Sequence, residues 1–159
     1  MYFMRIKGGN IDNMKAITVI QPWASLLAEG AKLYETRSWK TNYRGEILIH
    51  AGKKDPLFGI SAMSDEAWTD ACIALGIHGT VNRFEHLPTG AIIGKTRLVN
   101  CIEITPEFSE RMRRDFPTEY SFGDFTPGRY AWAMKDTEAF DEPIWLSGKQ
   151  GLWNYDGPL

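Results

Sequence analysis

The stretch Gly30-Ala31-Lys32-Leu33-Tyr34-Glu35-Thr36-Arg37-Ser38-Trp39 carries the densest run of chemically able side chains in the chain. Gly30 can take the left-handed backbone conformation that ends a helix, so the chain turns tightly just before Lys32. Leu33 to Trp39 then reads as a strand. Alternation places Glu35, Arg37 and Trp39 on one face and Tyr34, Thr36 and Ser38 on the other. A lysine at the mouth of a turn, with an acid and an arginine on the adjoining strand, can pin a planar polar ligand. Arg37 can fork onto a phosphate or a base edge, Glu35 can accept from an amino group, and Lys32 offers a point charge.

Upstream, Ala16-Ile17-Thr18-Val19-Ile20 is a β-branched run and reads as a strand. Pro22 suits the first turn of the helix that follows, where Trp23, Leu26 and Leu27 share one face. Free N–H groups at that helix start are expected to favour an anion. Downstream, Tyr43-Arg44-Gly45 turns into the apolar strand Glu46–Ala51. Ser64 is placed to cap a second helix, with Asp65 and Glu66 in its first turn and Trp68, Ala71, Cys72 and Leu75 along its stripe. Cys72 on that stripe reads as a small buried hydrophobe. A long strand is expected over Ala91–Val99, a short helical or irregular segment from Thr105-Pro106 through Met112 and Phe116, and a turn-rich loop over Phe122–Gly128. Arg129–Met134 and a closing region ending at Leu152–Tyr155 follow. Short strands with two or three helices between them predict an α+β domain built on a small mixed barrel.

A chain of 159 residues, 43% hydrophobic and 24% charged, is long enough to bury one core and too apolar to be disordered. Residues 14–159 read as one domain. Residues 1–13 read as a polar extension outside it, with Gly8-Gly9-Asn10 as a flexible break, and lack the apolar run of a signal peptide. No apolar run approaches the roughly 18 residues that span a bilayer. Cys72 and Cys101 give neither a disulfide framework nor a zinc pattern, so a reduced, cytoplasmic setting is expected. His50, His78 and His86 have no partners at metal-ligand spacing, and no metal or other cofactor is expected. Glycine loops ending in Gly-Lys-Ser/Thr and Gly-x-Ser-x-Gly elbows are absent, which removes the common nucleotide-hydrolase and serine-hydrolase readings.

The formal net charge is −2, but it is unevenly spread. Lys32, Arg37, Lys40, Arg44, Lys53 and Lys54 face only Glu35 and Glu46 between residues 32 and 54, whereas the chain from Cys101 onward is acidic. Such asymmetry predicts one electropositive surface on an otherwise acidic protein.

The pattern Gly30-x-Lys32-x-x-Glu35-x-Arg37 after a short helix resembles the hallmark of the ASCH domains, relatives of the PUA-like RNA-binding folds. Gln21-Pro22-Trp23, Tyr43-Arg44-Gly45, Leu87-Pro88-x-Gly90-Ala91-Ile92-Ile93-Gly94, Gly128-Arg129-Tyr130-Ala131-Trp132 and Gly148-Lys149-Gln150-Gly151-Leu152-Trp153 resemble the family's other blocks. The likeness runs from about Met14 to Trp153 and implies an α+β fold, a small mixed PUA-like β-barrel with flanking helices.

It also implies an RNA, nucleotide or nucleoside ligand bound in a positively charged cleft around the motif. The candidate binding residues are Gln21, Trp23, Arg37, Trp39, Arg44, His50, Lys53, Arg129 and Tyr130. Trp23 or Trp39 would supply a stacking platform, although the spacing of Trp23 with Leu26 and Leu27 also suits the core. Lys32 and Glu35 are the candidate catalytic pair for an alternative implied by one branch of the family, amidohydrolases that deacetylate acetylated cytidine. In that branch a lysine matching Lys32 activates a threonine three residues on. This chain has Glu35 there, and Thr36 is one residue out of place. A ribonuclease is a further alternative, with His50 as the one general-acid candidate. The third is a protein-interaction module, for which the sequence gives no direct signal.

Overall fold

The computed structural model describes residues 13–77 and 86–159. The expected N-terminal extension lies outside these residues except for Asn13, and so does His78. Six strands form one mixed sheet: β1 (Met14–Val19), β2 (Tyr34–Arg37), β3 (Gly45–Ala51), β4 (Ala91–Glu103), β5 (Tyr130–Trp145) and β6 (Leu152–Tyr155). Their order is β2-β5-β4-β3-β1-β6. The pair β1–β3 is parallel, and the connection between them carries helix α1 (Trp23–Ala28) and β2. Every other pair is antiparallel.

Strand alternation sorts the apolar residues onto two buried faces. Ile17, Val19, Ile47 and Ile49 pack with Ala24, Leu27 and Ala28 of α1 on one side, where Trp132 is fully buried. Ala16, Leu48 and Ile92 pack with Trp153 and Tyr155 on the other. Helix α1 is buried along nearly its whole length, so it forms a plug inside the sheet's curl rather than a surface helix. Gly30 ends the turn after it at a φ of +73°, the left-handed value that its position requires.

The expected α+β class and mixed sheet are present, but the sheet is not closed into a barrel. The two edge strands, β2 and β6, are not hydrogen-bonded to one another. Curvature comes instead from the long central strands. Their pairing shifts between Ile92 and Gly94, between Lys95 and Arg97, and between Leu98 and Asn100. Each such irregularity bends and twists the ladder. The curl brings β2 close to β1, where Arg37 Nη2 donates to the Thr18 carbonyl at 2.8 Å. A side chain therefore spans the gap that a backbone ladder would have closed.

Four further helices are present among the described residues: α2 (Pro56–Ser61), α3 (Asp65–Ala74), α4 (Pro106–Asp115) and α5 (Pro117–Phe122). Ser64 caps α3 by accepting from the Ala67 amide, as its sequence signature predicts. Cys72 on α3 is half-buried. Thr105 caps α4 by accepting from the Phe108 amide. Periodicity gave no sign of α2 and α5, each six residues long and opened by proline. Gly59 of α2 sits so close to the Gln21 carbonyl that a Cβ there would overlap it, which ties α2 to the entrance of α1.

Candidate functional site

The glycine-terminated turn after α1 sends the chain straight into β2, which among the described residues is an edge strand paired only with β5. Met134 of β5 donates to the Leu33 carbonyl, so alternation turns the backbone groups of Tyr34 and Thr36 away from the sheet. Charged side chains satisfy them. Glu119 of α5 accepts from the Tyr34 amide at 2.8 Å and from the Leu33 amide at 3.0 Å. Lys32 Nζ donates to the Tyr34 carbonyl, and Arg129 Nη2 reaches the Thr36 carbonyl at 3.3 Å. The free edge of the motif strand is thereby covered by charged groups, a common defence of sheet edges.

The same groups form an ion-paired array. Lys32 is only 2% exposed, and its Nζ lies 3.3 Å from Glu35 Oε2. Arg37 Nε lies 3.0 Å from Glu35 Oε1. That N–H is not aimed at the oxygen, so the contact is an ion pair without a hydrogen bond and leaves Arg37 Nε buried with no hydrogen-bond partner. Arg129 pairs with Asp124 at 3.4 Å, and the Asp124 amide donates to Thr36 Oγ1. Two hydrogen bonds from Thr126 hold the Asp124 carboxyl below its ordinary range. Burial pushes the Glu119 carboxyl up, outweighing the Lys32 ammonium and the two backbone amides that favour its charged form.

Lys32, Glu35, Thr36, Arg37, Asp124 and Arg129 line a cleft of about 750 Å³. Lys32, Glu35, Arg37, Trp39, Trp23 and Arg129 all border it, so the structure brings together six of the residues singled out from the sequence. Trp39 is 37% exposed and stands edge-on to Trp132, with ring centroids 4.7 Å apart. Trp23 both borders the cleft and packs against the core.

Five candidates do not border it. Gln21 is fully buried and acts as a cap: its Oε1 accepts from the Ser25 amide and its Nε2 donates to Ser25 Oγ and the Pro88 carbonyl. The Ala24 amide is likewise taken by the Ile20 carbonyl. The expected anion site at the start of α1 is therefore filled by the protein's own groups. Arg44 donates to the carbonyls of Thr41 and Tyr43, stapling its own turn. His50 is buried against Trp153, with Nε2 on the Leu146 carbonyl, and burial holds its pKa down. Lys53 reaches Ser147, and Tyr130 starts β5 packed against the core.

The basic run between residues 32 and 54 consequently forms no single electropositive face. The three cleft cations, Lys32, Arg37 and Arg129, face two lining carboxylates, Glu35 and Asp124, with Glu119 behind. Charge in the cleft is close to balanced. Sequence reasoning missed Glu119 and Asp124, which come to the motif from more than 80 positions downstream with no local pattern to mark them.

With this geometry in hand, the sequence profile of the ASCH domain matches residues 17–143. The chain belongs to the ASCH domain family. Activating signal cointegrator 1 from Homo sapiens is 25% identical over 148 residues, and its Mus musculus counterpart 24%. Those alignments cover 93% of this ASCH chain but only 23% of either relative, so the chain spans about a quarter of their length. Among solved structures, ASCH from Zymomonas mobilis is 16% identical with a TM-score of 0.48, covering 84% of this chain and 73% of its own. A mutant form of the same protein gives 15% and 0.49, covering 87% and 78%. Among the described residues of this ASCH domain, no helix is long and apolar enough to cross a membrane.

Proposed function

We propose that this ASCH domain binds RNA or a modified nucleotide, taking one base into the cleft beside β2. The observation that carries the reading is the meeting of the Lys32–Glu35–Arg37 array with the rings of Trp23 and Trp39 on one cleft of ligand size. A base has a flat apolar face and a polar edge. The indoles suit the face, each stacked base being stabilised by about 1–3 kcal/mol. The Glu35 carboxylate and the Arg37 guanidinium suit the edge, as acceptor and donor respectively. Near-balanced charge favours a neutral base over a bare polyanion.

The geometry favours binding over hydrolysis. Lys32 is engaged by the Tyr34 carbonyl and Glu35, and Thr36 Oγ1 accepts from Asp124. Neither is arranged as the base-and-hydroxyl pair that an amidohydrolase uses. His50, the general-acid candidate for a ribonuclease, is outside the cleft.

The test is titration with labelled single-stranded RNA and with mononucleotides at low salt. Binding is expected to weaken as salt rises. Arg37→Ala is expected to weaken it about 10-fold or more, the range for losing one good base-edge contact. Absence of RNA and nucleotide binding at low salt overturns the reading. Release of cytidine from acetylcytidine by the wild-type protein would favour the amidohydrolase alternative instead.

A further inference from the structure

A base held in a nearly neutral cleft leaves its phosphates to be met elsewhere, and the surface beside the cleft offers cations in the right company. Lys40 follows Trp39 directly and is exposed. Gly151 lies next to the Trp39 ring, and the Lys149 carbonyl accepts from Thr18 Oγ1 at 2.7 Å, Thr18 itself bordering the cleft. Two residues before Lys149, Ser147 Oγ accepts from Lys53 Nζ at 2.7 Å. The Lys53 stem also lies against Gly90, whose neighbour Ala91 pairs with Trp145 at the end of β5. Trp145 is 67% exposed. Alongside Lys53, Lys54 stands 4.2 Å over the ring of Phe58, itself 55% exposed.

The segment 145–151 thus forms a rim that runs from the cleft to an exposed tryptophan. Lys53, Lys54 and Lys149 are exposed beside it and Lys40 follows Trp39 at its cleft end, while the acids near it are Asp55, whose carboxylate caps α2, and the exposed Asp141 and Glu142 that precede Trp145 on β5. Six residue steps reach at most about 20 Å, the scale of a few nucleotides. Exposed aromatic rings among lysines are what a single strand requires: faces on which bases stack and cations that follow the backbone. Core packing does not explain Trp145, because most of its surface lies outside.

We infer that single-stranded RNA with one base in the cleft continues along the 145–151 rim, its phosphates on Lys149, Lys53 and Lys54 and a further base stacked on Trp145. This rests on the proposed base-binding cleft and makes the ligand a polynucleotide rather than a free nucleotide.

The experiment compares a mononucleotide with a labelled RNA octamer on wild-type protein, Trp145→Ala, and the double variant Lys53→Ala, Lys54→Ala. The octamer is expected to bind wild type at least 10-fold more tightly than the mononucleotide. Trp145→Ala is expected to weaken octamer binding about 10-fold. The lysine variant is expected to weaken it and to flatten its salt dependence. All three proteins are expected to bind the mononucleotide equally. An octamer no tighter than the mononucleotide overturns this inference alone. Octamer affinity unchanged in both variants also overturns it, and leaves the patch to a protein partner. Failure of the wild type to bind either ligand overturns the cleft reading, and this inference with it.

Discussion

Replacing Lys32 with methionine is expected to destabilise the domain by about 3 kcal/mol, within the range for removing one partner of a buried ion pair. Methionine keeps the length and apolar stem of lysine, so packing changes little. What disappears is the ammonium. The Tyr34 carbonyl loses its donor, Glu35 keeps only Arg37, and Glu119 loses the nearby positive charge that opposes its desolvation. Denaturant unfolding should show a lower midpoint with an unchanged slope. A midpoint equal to that of wild type would show that Lys32 holds nothing in place. The expectation has a consequence for function. Loss of binding or activity in a Lys32 variant does not by itself assign chemistry to the amine, because the edge strand carrying Glu35 and Arg37 is disturbed as well. Arg37 is 21% exposed and also holds the Thr18 carbonyl, so the Arg37→Ala variant needs the same denaturant control before lost binding is assigned to the ligand.

The legible part of the site is the part written locally. Gly30, the alternation from Leu33 to Arg37 and the Ser64 cap depend on residues a few positions apart, and their geometry follows from the sequence. The basic run between Lys32 and Lys54 looks equally local but crosses a strand, an irregular loop and a second strand. Linear neighbours therefore part: Lys32 goes inward, Arg44 folds onto its own turn, and Lys53 crosses to Ser147. His50 is a strand-end residue in sequence and a buried one in space, because residues 146–148 fold over it from the far end of the chain.

Sheet closure was illegible for a related reason. It depends on how β4 and β5 bend over 13 and 16 residues. Those bends rest on irregularities such as Asp136, which takes a φ of +53° within β5. Asp tolerates that conformation better than most residues, but an isolated Asp in a polar segment gives no sign of it. The partners that complete the motif, Glu119 and Asp124, share this character. Nothing in Pro117–Phe122 distinguishes a helix that clamps an edge strand from one that merely covers it.

Glu119 permits the sharpest separation of hydrogen bonding from charge at this site. Glu119→Ala is expected to cost about 2–4 kcal/mol, since it leaves the Leu33 and Tyr34 amides without an acceptor in a part-buried place. Glu119→Gln is expected to cost less, about 1 kcal/mol: both amides reach Oε1, which an amide oxygen can replace, but the Leu33 amide also donates to Oε2 at 3.0 Å, where a glutamine NH2 cannot accept. The pH dependence supplies a second readout. Burial raises the carboxyl above its ordinary value of 4.5, so folding favours the protonated form. That contribution is fully present below pH 4.5 and is lost as pH rises through the folded-state value. Glutamine cannot ionise, so its stability relative to wild type is expected to improve over that interval and to level off on either side. Denaturant midpoints for the three proteins, measured from pH 4 to pH 8, check both expectations. Equal losses in the alanine and glutamine variants would show that the negative charge, rather than the pair of hydrogen bonds, holds α5 to the motif strand.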